Sequence, residues 1–108
     1  MFKDRFNAGP FLVRDFDGIK NDSCTPQIGD VATVKLEENG IQLQVALDKE
    51  SKDEWGGEVV RYQLLIQGRT PSERLDEINE QEEFLMAKDI SVGSVVSFPE
   101  IKIHTLSR

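Results

Sequence analysis

His104 is the one imidazole in the chain and Cys24 the one thiol. An imidazole that takes a thiol proton leaves a sulfur nucleophile, so the pair could in principle attack an electrophile. Cys24, however, lies in Asn21-Asp22-Ser23-Cys24-Thr25-Pro26. No basic neighbour or helix start is visible in that polar loop to favour the thiolate. If Ile101 and Ile103 face a core, His104 points the other way with Lys102, as an ordinary surface histidine would. Adjacent carboxylates occur at Glu37-Glu38, Asp53-Glu54 and Glu82-Glu83. Such pairs divide into acid and base only inside an enclosed cleft, and 20 acidic residues make chance neighbours common. An enzyme using Cys24 and His104, or paired carboxylates, is therefore the third-ranked reading, and no catalytic residue is assigned.

Metal and cofactor chemistry fares no better. One histidine and one cysteine fall short of a structural zinc ligand set. Asp48, Glu50 and Asp53 miss the alternating rhythm of a calcium loop, because Lys52 occupies the fifth place. No glycine-rich phosphate loop is present. The expectation is no metal and no cofactor.

Binding chemistry has a better candidate. Trp55 stands in the polar segment Asp48-Lys49-Glu50-Ser51-Lys52-Asp53-Glu54-Trp55-Gly56-Gly57, with Tyr62 further along. Tryptophan and tyrosine anchor interfaces because they bury a large apolar body behind a polar tip. Trp55, Tyr62, Asp53 and Glu54 are the candidate partner- or ligand-binding residues. The plainer alternative has Trp55 folded back as a lid over the end of a barrel. Phe2, Phe6, Phe11 and Phe16 crowd the first 16 residues. Residues 1–10 could form an arm that caps its own sheet, with a homodimer through Phe2 and Phe6 as the second option.

The elements that must position these groups are mostly strands. Asn39-Gly40 separates Val31-Ala32-Thr33-Val34-Lys35-Leu36-Glu37-Glu38 from Ile41-Gln42-Leu43-Gln44-Val45-Ala46-Leu47. A two-residue type I′ turn there sets Glu38 opposite Ile41. Leu36–Leu43, Val34–Val45 and Ala32–Leu47 then share one face. Another strand spans Glu58 to Gln67, with Val60, Tyr62, Leu64 and Ile66 on one side. Val95–Phe98 and Ile101–Leu106, divided by Pro99, form either two short strands or one bent edge strand, and Phe11–Phe16 is a weaker strand. Asp17-Gly18 through Pro26 reads as loop. Thr70-Pro71-Ser72-Glu73 is a capping box that opens a helix over about 71–81, ending before Glu82 interrupts its apolar stripe. Residues 82–90 fit either helix or strand. Ile28-Gly29-Asp30-Val31 is echoed by Val92-Gly93-Ser94-Val95 at a second strand entry.

The expected fold is α+β and β-rich: a twisted, mainly antiparallel five- or six-stranded sheet, or a small partly open barrel, with one helix. The 108 residues suit a single domain. A net charge of −7 with scattered basic residues disfavours nucleic acid, and no apolar run spans a bilayer. One unpaired cysteine fits a reducing, cytoplasmic setting. The functional expectation is a small acidic non-catalytic interaction module. It would bind a basic protein partner as an accessory, inhibitor or mimic-type protein. The alternative is a small-molecule-binding barrel with its ligand near Trp55 and Tyr62.

Overall fold

A computed structural model describes residues 1–5, 11–15, 18–22 and 25–108. Its fold is α+β and β-rich: one open, curled sheet with one helix. The strands are β1 (Phe11–Asp15), β2 (Gly18–Asp22), β3 (Val31–Lys35), β4 (Gln42–Glu50), β5 (Trp55–Gln63), β6 (Val95–Phe98) and β7 (Thr105–Ser107). They lie in the order β2-β1-β7-β3-β4-β5-β6. The run β7-β3-β4-β5-β6 is antiparallel throughout, while β1 adds parallel to β7 and β2 returns antiparallel on β1. The sheet thus reaches seven strands, because the segment expected as loop after Asp17 contributes β2.

The β3–β4 hairpin keeps the expected faces but not the expected register. Val34 pairs with Leu43 and Ala32 with Val45, a slip of two residues from the two-residue-turn alignment. An even slip preserves which side chains face inward. Ala32, Val34, Leu36, Leu43, Val45 and Leu47 are accordingly all buried. The cause lies in the turn. Gly40 takes φ +72°, but Asn39 does not enter the left-handed region that a type I′ turn demands. The Asn39 side chain instead accepts a hydrogen bond from the Ile41 amide at 3.2 Å, and the Gly40 amide donates to the Leu36 carbonyl at 3.0 Å. Residues 37–40 therefore form a longer loop.

β5 starts three residues earlier than its pattern suggests and carries a bulge. Arg61 pairs with Gln44 but Val59 with Val45, which leaves Val60 as the extra residue. Val59 is buried and Val60 exposed, the reverse of strict alternation. A second irregularity falls at Asp48 in β4, between Leu47 and Lys49. Beside it, a Cβ on Gly57 would stand 1.8 Å from the Ala46 carbonyl oxygen. Only glycine permits that approach.

The bends curl the sheet. Phe2 bridges Leu36 on the side of β3 away from β4. In a flat sheet it would lie about 19 Å from β6. Its ring nonetheless meets that of Phe98, on β6, edge-to-face with centroids 5.8 Å apart. Residues 99–104, which include a 3-10 turn at Glu100–Lys102, cross beside residues 2–5 on the way from β6 to β7. There the Arg5 amide donates to the Ile101 carbonyl, and its guanidinium donates to the carbonyls of Glu100 and Ile103. Phe2 is thus spent on its own core, and Phe6 lies outside the described residues.

The helix, α1 (Pro71–Ala87), runs six residues past the expected end at Gln81. Thr70 and Glu73 make both bonds of the capping box. Glu82 is exposed because the docking face is not the expected apolar stripe: Leu75 is 57% exposed and Leu85 alone in the helix is buried. The contact is largely polar. Gln81 both accepts from the Leu65 amide and donates to the Leu65 carbonyl. Glu77 accepts from the amides of Gln67 and Gly68, and Glu73 from that of Arg69. Spaced four apart, these side chains form one ridge that satisfies the extended segment after β5 much as a neighbouring strand would.

The helix ends in a Schellman motif. The Ile90 amide donates to the Leu85 carbonyl and the Asp89 amide to that of Met86, with Leu85 and Ile90 both buried. Asp89 occupies the position where glycine is usual, at φ 58°.

Two substitutions test these backbone constraints by denaturant unfolding. Gly57→Ala should cost about 2 kcal/mol or more, because the opposing atoms are backbone. Asp89→Gly should stabilise by about 0.5–1 kcal/mol by relieving the left-handed conformation.

Candidate functional site

Ser51–Glu54 forms the tight connection between β4 and β5, closed by the Ser51 amide donating to the Glu54 carbonyl at 2.9 Å. The expected long exposed loop is shorter because Lys49 and Glu50 pair with Gly56 and Trp55. Trp55 is only 7% exposed and belongs to the core, opposite Phe98 on β6. It is a floor and not a projecting anchor. Asp53 and Glu54 remain exposed beside it.

An open groove of about 530 Å³ lies over this floor. Lys49, Glu50, Ser51 and Glu54 form one wall, and Val95, Val96 and Ser97 of β6 the other. Tyr62 is not part of it. It sits half-buried opposite Leu43, seven residues along β5 from Trp55, or roughly 20 Å. Trp55, Asp53 and Glu54 are brought together, and Tyr62 is left at the far end of the strand.

The wall formed by β6 is also an edge of the sheet. The Val59 amide donates to the Ser94 carbonyl, so Glu58–Val95 and Gly56–Ser97 are the pairs whose β6 backbone groups point away from β5. Among the described residues, no backbone bond reaches Val95 or Ser97 from the open side. Apolar side chains collect here as well: Val95 is 61% exposed, Val92 60% and Val60 46%. Val60 joins this patch through its bulge, and Val92 through a type II turn. In that turn Gly93 has φ +96° and its amide bonds the Val59 carbonyl. The sequence echo is real in three dimensions. Gly29, at φ +99°, makes the equivalent turn before β3, with its amide on the Leu47 carbonyl.

The candidate chemistry separates. His104 is half-buried, and its Nε2–H donates to the Lys3 carbonyl at 3.0 Å. Burial lowers its pKa below the ordinary 6.5, and the charges of Lys35, Lys3 and Arg5 lower it further against that hydrogen bond. Cys24 lies outside the described residues. Glu37-Glu38, Asp53-Glu54 and Glu82-Glu83 are all exposed. No trio of His, Cys, Asp or Glu among the described residues is placed to hold a metal ion. No described helix is long and apolar enough to cross a membrane.

Comparison with known protein families, curated proteins and solved structures finds no match.

The histidine gives a signed expectation. Its folded pKa is lowered, so the unfolded chain takes up the proton first and the neutral ring's contribution is lost as pH falls below 6.5. Unfolding measured across mildly acidic pH should show a decline that His104→Gln reduces. An identical decline in both proteins would assign the acid sensitivity elsewhere.

Proposed function

We propose that this chain is a non-catalytic interaction module that binds an extended, basic segment of a protein partner along β6. The observation that carries this reading is the open β6 edge beside a groove walled by Glu50 and Glu54. Strand addition supplies main-chain hydrogen bonds, and flanking side chains supply selectivity. Val95, Val92 and Val60 offer apolar contact. Glu58, exposed opposite Val95, adds a third carboxylate one strand in from the edge. Among the described residues lining the groove, Lys49 is the one basic side chain. The net charge of −7 steers a cationic segment toward the molecule as a whole. Trp55 contributes as the rigid floor.

The small-molecule alternative would use the same groove, without Tyr62. The sheet is open, so there is no barrel mouth, and Tyr62 lies far from Trp55.

Extended peptides alternating lysine with valine should bind the chain, weakly at high salt and more strongly at low salt, as read by fluorescence anisotropy. Ser97→Pro removes an outward amide without touching the β5–β6 ladder and should weaken binding about tenfold. Glu50→Lys with Glu54→Lys should weaken it at least as much. If both variants bind as the parent does, β6 is not the docking edge.

A further inference from the structure

On the outer face of the sheet, away from the β6 edge, the structure gathers cations that the sequence scatters. Phe2 turns inward, so Lys3 turns outward; Val34 and Leu36 turn inward, so Lys35 does likewise. The Phe2–Leu36 bridge sets Lys3 directly across from Lys35, and the Lys3 amide donates to the Lys35 carbonyl at 2.8 Å. Side chains in such positions stand about 5 Å apart at Cβ, where like charges repel. No carboxylate among the described residues forms an ion pair with either lysine.

Acids on the adjoining segments have other partners. Glu37 faces the Met1 amino group at 3.9 Å, Asp4 pairs with Lys102, and Glu100 lies 3.9 Å from the Arg5 guanidinium. His104 completes the cluster. Its Nε2–H is committed to the Lys3 carbonyl, which leaves Nδ1 as the proton-accepting nitrogen of the neutral ring. Gln42 flanks Lys35 on β4, and Gln63 follows it on β5, so the same row of the face carries amides and no acids.

Two opposed lysines without acid partners are unexpected in a chain carrying 20 acidic residues against 13 basic ones. They leave two ammonium groups available to an anion. We propose that Lys3 and Lys35 form a binding site for a phosphate-class dianion, with His104 at its rim. Two ammonium groups on facing positions can each donate to an oxygen of one tetrahedral group. They do not make the long basic stripe that a nucleic-acid strand requires.

The test is a titration of the ¹⁵N-labelled protein with inorganic phosphate at pH 7.5, with ionic strength held constant by sodium chloride. Acetate serves as a parallel arm. Saturating shifts at Lys3, Lys35 and the His104 ring are expected with phosphate. Lys35→Gln should weaken them about tenfold, with the rest of the spectrum unchanged as evidence of folding. Bound phosphate should also raise the His104 titration midpoint, because the dianion offsets the lysine charges. Absent or non-saturating shifts, shifts of equal size with acetate, or an unchanged Lys35→Gln titration would each overturn the proposal. None of these results depends on whether β6 binds a peptide.

Discussion

The contact between Gly57 and the Ala46 carbonyl governs the shape of the molecule. A side chain there would overlap backbone that is itself tied into the β4–β5 ladder, so the two strands come this close only because the residue is glycine. The irregularities at Asp48 and Val60 flank the contact and bend the pair. From that bend follow the curl of the sheet, the meeting of Phe2 with Phe98, and a core almost independent of the helix. The same bend throws Val60 out to solvent and sets it near the β6 edge. Core and surface patch are two results of one local geometry.

The helix illustrates a different balance. Its sequence is too acidic to bury a broad apolar stripe, and only Leu85 is buried. Glu73, Glu77 and Gln81 instead hold the chain after β5 by its own amides. Each such bond is worth about 1 kcal/mol net, but an exposed row of them fixes direction as well as proximity. The outward face keeps Asp76, Glu80 and Glu83 in solvent, where they add to the field around the molecule.

Local chemistry was legible from the residues; long-range geometry was not. The capping box at Thr70 and Glu73, the inward set of the β3–β4 hairpin and the repeated glycine turns all depend on neighbours within a few positions. Asn39-Gly40 misled because the Asn39 side chain bonds the Ile41 amide while its backbone stays outside the left-handed region. Val60 misled because alternation cannot reveal a bulge, although Gly56-Gly57 just before it was a hint of close backbone approach. Trp55 and Glu54 stand close in the sequence, but the β6 wall of their groove comes from residues some forty positions later. Lys3 and Lys35 meet only through pairing that no local pattern announces.

The shortness of β6 has a kinetic consequence. Its outward backbone groups belong to Val95 and Ser97, each with one donor and one acceptor. An added strand therefore finds few main-chain bonds, and the remaining grip must come from valine contact and screened charge. A complex of the proposed kind would form fast and dissociate fast. So short an edge does not template a growing stack of strands as a long bare edge would.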